Sequence, residues 1–65
     1  MTVIPRLFAE AAAKLEDLHG IAIEGQRADN ALDLQSVLNV HLRDGLAGLG
    51  GTLRAITNAL EARRP

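Results

Sequence analysis

Residues 42–60 read LRDGLAGLGGTLRAITNAL, and their large apolar residues recur in alternating steps of four and three. This spacing is a heptad repeat, which places those residues along one side of an α-helix. None of them carries a group that takes part in chemistry. The pattern therefore predicts an association surface made of Leu42, Leu46, Leu49, Leu53, Ile56 and Leu60.

A column of small residues runs beside this leucine ridge, at the same alternating spacing. Small side chains let a second helix backbone come close, and a ridge of large residues on that helix can fill the resulting groove. We expect close approach at Gly48, Thr52, Ala55 and Ala59.

The composition favours helices over strands. The chain has 65 residues, among them eleven leucines and eleven alanines, and Phe8 is its one aromatic residue. Leucine and alanine form helices well, whereas strands prefer β-branched and aromatic residues. We therefore predict an all-α protein with a single small domain over residues 1–65.

A chain this short needs help to stay folded. A domain of about 60 residues buries only about 60% of its unfolded surface. Disulfides and thiolate metal sites are excluded because the sequence has no cysteine. Oligomerisation is the remaining remedy, so we expect a homodimer in which two- or three-helix hairpins complete a four-helix-like bundle.

The first helix is predicted over residues 3–19. Pro5 suits a first turn, Thr2 is a candidate cap and Gly20 is a natural stop. Phe8, Leu15 and Leu18 are expected to form the ridge that faces the later helix. Arg6, Glu10 and Lys14 alternate in sign four residues apart, which is typical of a solvated helix face. Residues 20–25 could be helix, loop or a short strand, and we prefer a connection.

Two interpretations are open for the rest of the chain. Asp29 or Asn30 is expected to cap a helix over residues 30–49. Four glycines between positions 45 and 51 each cost a helix up to about 1 kcal/mol relative to alanine, which favours a break at Gly50-Gly51 and a last helix over 51–63. The unbroken heptad favours one continuous helix instead.

The sequence points away from several kinds of partner. Net charge is −1 and the longest basic run is Arg63-Arg64, so no phosphate-neutralising patch for nucleic acid is visible. The longest uncharged run near the ridge is too short to span a bilayer. We see no secretory signal and expect a cytoplasmic protein; six arginines against one lysine favour a GC-rich, bacterial genome.

The leading functional expectation is a non-enzymatic module for protein–protein interaction, a dimerising adaptor or regulator without a cofactor. It would bind itself and, as a further option, another protein. An alternative is a metal site between subunits, because Glu16 and His19 are three residues apart, a spacing that di-metal helical bundles use. A second alternative is a structural subunit of a larger assembly.

Overall fold

The computed structural model describes residues 3–64, which form an antiparallel hairpin of two helices. Helix α1 spans Val3–Gly25 and helix α2 spans Leu32–Ala62. The two helices pack along their length, and the Cα trace measures 54 × 15 × 10 Å. The prediction of an all-α chain is confirmed in its two-helix form. Thr2 lies outside the described residues.

Helix α1 is longer than predicted. It continues through Gly20 and ends at Gly25, and no glycine among the described residues has a positive φ. The expected stop at Gly20 is therefore wrong. One glycine costs a helix only about 1 kcal/mol. Continuing the helix keeps Ile21 on the side of α1 that faces α2, where Ile21 is half-buried.

The predicted break at Gly50-Gly51 is absent. Helix α2 runs unbroken for 31 residues through Gly45, Gly48, Gly50 and Gly51. Packing along α1 outweighs the poor helix propensity of the glycines, as tertiary contacts commonly do. The separate helices expected over 30–49 and 51–63 are one helix.

The connection over residues 26–31 is closed by polar side chains. Asn30 donates its side-chain N–H to the Glu24 carbonyl oxygen at 2.7 Å, and Arg27 donates to both Glu24 and Asp29. The residue that precedes α2 is Ala31, which makes no side-chain cap. The predicted cap at Asp29 or Asn30 is thus wrong, because these two side chains serve the connection instead.

The interior of the hairpin is small. Its buried apolar residues are Ala11, Leu49 and Ile56, and Leu7 and Leu18 pack against them. No side chain among the described residues is completely enclosed. A two-helix hairpin offers each helix one neighbour, so only a narrow seam can be covered. Within residues 3–64, neither helix is long and apolar enough to cross a membrane.

Candidate interaction surface

Every second member of the predicted leucine ridge faces away from α1. Leu49 and Ile56 are buried against α1 and Leu42 is half-buried. Leu46, Leu53 and Leu60 alternate with them and are 63%, 50% and 45% exposed. The ridge is thus divided between the interior of the hairpin and a surface that α1 does not cover.

The ridge predicted on α1 is divided in the same way. Leu18 packs against the core, whereas Phe8 and Leu15 are 55% and 54% exposed. Leu7 takes the inward place that the prediction gave to Phe8. Three of the nine predicted ridge residues are therefore buried or packed on the core cluster, and Leu42 is half-buried at its margin.

Along the seam between the helices, large and small residues of α2 alternate from Leu42 onward. The seam residues on each helix recur in steps of three and four and are buried or half-buried. On α1 they are Ile4, Leu7, Ala11, Lys14, Leu18 and Ile21. On α2 they are Leu38, Leu42, Gly45, Leu49, Thr52, Ile56 and Ala59. In heptad terms these are the a and d positions of an antiparallel pair.

Five of the eleven large apolar residues exposed within residues 3–64 fall in one further heptad column on each helix; the other six are Val3, Ile23, Leu32, Leu34, Val37 and Val40. Phe8 and Leu15 are seven apart on α1, and Leu46, Leu53 and Leu60 are seven apart on α2. At 100° per residue this column, heptad position e, lies about 70° from the middle of the seam. In an antiparallel pair the e columns of both helices lie on the same side. We call these five residues the lateral face.

The pattern of the lateral face is that of a bundle helix. A two-stranded seam needs apolar residues only at a and d, whereas a helix with two neighbours in a bundle has them at a, d and e. Ala12 and Gly50 lie between the large residues of this face at the next heptad position, b; Ala12 is exposed, whereas the Arg54 side chain lies beside Gly50. A second layer of helices would therefore meet a small gap at Ala12, between Phe8 and Leu15.

Polar side chains join the two helices on the opposite side of the hairpin. Thr52, which is 3% exposed, donates to the Glu10 carboxylate at 2.7 Å and accepts from Lys14 Nζ at 2.7 Å. Lys14 also donates to the Gly48 carbonyl oxygen at 3.3 Å and to Glu10 at 3.4 Å. We call Glu10, Lys14 and Thr52 the polar clamp. It satisfies the buried threonine and joins α1 to α2.

The polar clamp changes the acidity of its carboxylate. The hydrogen bond from Thr52 has the largest influence. The hydrogen bond from Lys14 comes next, followed by the positive charge of Lys14, and together they lower the pKa of Glu10. Each favours the ionised form of the carboxylate. The alternating charges of Arg6, Glu10 and Lys14 predict a solvated face, whereas the structure brings Glu10 and Lys14 into contact with Thr52 of α2. The signal available was Lys14 in phase with Leu7, Ala11 and Leu18.

Gly45 of α2 lies directly against the Leu18 side chain of α1. A Cβ atom on Gly45 would overlap the Leu18 Cδ2 methyl group. Beside this contact is an apolar notch of about 150 Å³, lined by Lys14, Asp17, Leu18, Ile21, Gly45 and Gly48. Of the residues predicted to set close approach, Thr52 is buried, Ala55 and Ala59 are half-buried and Gly48 is exposed.

The residues of the alternative metal site lie on the surface of α1. Glu16 and His19 are both exposed. Between residues 3 and 64, no group of three or more His, Asp or Glu side chains is placed to hold a metal ion.

The hairpin exposes a large surface for its size. Its accessible area is 4994 Å², whereas a compact monomer of 6.9 kDa exposes about 4,000 Å². The excess, roughly 1,000 Å², is similar to the ~800 Å² that each partner buries in an interface of standard size. The chain thus has about enough spare surface for one such interface.

Comparisons of the chain with protein-family models, with curated proteins and with solved structures gave no match.

Proposed function

We propose that this protein is a non-enzymatic interaction module that acts by self-association. Two hairpins pack through their lateral faces and complete a four-helix bundle. The observation that carries the proposal is the lateral face itself, in which five large apolar residues at heptad spacing on both helices are about half exposed. Contiguous exposed apolar surface of this kind marks an interaction site.

The second copy is the occupant that the surface favours. The e columns supply the third apolar position that a four-helix bundle requires, and the excess area is what one standard interface covers. A dimer would also give the chain the buried core that a hairpin of this length lacks. A module of this kind brings together whatever each copy binds or is joined to, and it needs no cofactor.

The substitution Leu53→Asp tests the proposal, because Leu53 lies at the middle of the lateral face. A buried leucine contributes about 1.5–3 kcal/mol, and each dimer contains two copies, so the dissociation constant should rise at least about a hundredfold. Light scattering over a dilution series measures this constant. Circular dichroism at high concentration shows whether the helices persist.

Leu34→Asp is the matched control. Leu34 is an exposed leucine of α2 on the other side of the seam, in the first turn, where an acidic residue is favourable. It should leave the dissociation constant unchanged. Equal effects of the two substitutions, or no effect of Leu53→Asp on the mass, would contradict the assignment of the lateral face.

A further inference from the structure

Building on the proposed self-association, we propose that the two hairpins pair with their turns at opposite ends. In this arrangement α2 packs antiparallel on α2 of the second copy around Leu53, and α1 packs antiparallel on α1. The other two-fold arrangement has both turns at one end and places each α1 on the second copy's α2. Two features of the lateral face favour the first arrangement.

The leucine column of α2 is symmetric about its middle. Leu46 and Leu60 are each seven residues from Leu53, so reversing the helix direction about Leu53 exchanges the outer two. A second α2 turned end for end therefore presents the same column at the same heights. Leu53 then meets its own copy at the symmetry axis, and Leu46 meets Leu60.

The same two-fold axis places a large residue of α1 opposite a small residue of the second copy's α1. Thr52 is hydrogen-bonded to Glu10, so Leu53 is close in height to Glu10 on the antiparallel α1. Reversal about that height exchanges positions 8 and 12. Phe8, the largest residue of the face, then packs opposite Ala12 of the second copy, which is exposed in the single hairpin. Large residues opposite small ones fill the space between helices.

Distances between spin labels test the arrangement. The chain has no cysteine, and Ala28→Cys places one label in the exposed turn without touching the lateral face. The 21 residues from Leu32 to Leu53 span about 30 Å at 1.5 Å per residue, so opposite turns are about 60 Å apart. Turns at one end are separated by about two helix diameters, 20–25 Å.

Pulsed electron resonance on labelled, dimeric protein should give the longer distance. A distance of 20–25 Å would overturn the arrangement and leave the self-association intact. A monomeric mass by light scattering would contradict both the arrangement and the self-association.

Discussion

Gly45 lets α1 and α2 approach because it leaves room for the Leu18 side chain. Gly20, at an exposed position of α1, has no atom within 4 Å of the place a Cβ would take. The same substitution therefore has opposite consequences at the two sites. It adds helix propensity at both, but at Gly45 it also forces Leu18 out of its place.

We expect Gly45→Ala to lower the free energy of unfolding by about 1 kcal/mol, because overpacking outweighs the gain in propensity. Gly20→Ala should raise it by about 0.4–1 kcal/mol. Thermal or urea unfolding measures both at one protein concentration. Equal stabilisation by the two substitutions would show that the helices are not in contact at Gly45.

The polar clamp predicts a dependence of stability on pH. Because the pKa of Glu10 is lower in the folded chain than its ordinary value of 4.5, ionisation of Glu10 favours folding above that value. This contribution is lost as the pH falls from 4.5 through the lowered pKa of the folded state.

Thr52→Val should raise the pKa of Glu10 towards 4.5, because it removes the hydroxyl that donates to the carboxylate. Thr57→Val is the control, since Thr57 bonds only the Leu53 carbonyl oxygen and should leave the pKa unchanged. Titration of the Glu10 side-chain resonance by NMR measures both. A Glu10 midpoint that Thr52→Val does not move would argue against the clamp in solution.

At the scale of the helices, the glycines of α2 decide between one helix and two. Gly51 lies in unbroken helix, without positive φ, and only the Arg54 side chain is near its missing Cβ. Gly51→Ala should therefore stabilise the protein by about 0.5–1 kcal/mol and preserve its helix content. Unfolding curves and circular dichroism measure this. Destabilisation by Gly51→Ala would instead indicate a helix end at which glycine takes the left-handed conformation.

The helical class and the hairpin could be predicted from the sequence, but the side that α2 turns to α1 could not. Heptad spacing identifies a helix surface about 100° wide, and the leucine ridge is its most apolar part. The hairpin turns that ridge partly aside, because Gly45, Thr52 and Ala59 allow a closer approach than leucine. The periodicity of α2 alone does not determine which side of it faces α1. That side depends on the partner helix and on the pairing of Thr52 with Lys14 and Glu10.

Helix ends were predicted less well for a related reason. Gly20 and Gly50 are helix breakers when judged alone, yet each is held in a long helix by neighbours seven residues or fewer away that pack across the seam, such as Leu18 and Ile56. Asn30 has the side chain of a typical N-cap residue, but its amide donates to the Glu24 carbonyl oxygen instead. Such competition between two partners is visible only once the helices are in place.

At the scale of the whole molecule, the hairpin has the features of half a bundle. Three apolar residues are buried among those described, whereas the five large residues of the lateral face remain about half exposed. If the lateral faces pair as proposed, stability and self-association should be linked, since a dimer would bury apolar surface that the single hairpin exposes. Dilution should then dissociate the dimer and unfold its helices together.

The most direct test is the solution mass of the unmodified chain by light scattering across a dilution series, with circular dichroism on the same samples. For a dimer formed through the lateral faces, we expect twice the chain mass of 6.9 kDa at high concentration, with mass and helix content falling together on dilution. A chain that stays monomeric and fully helical at every concentration would contradict it.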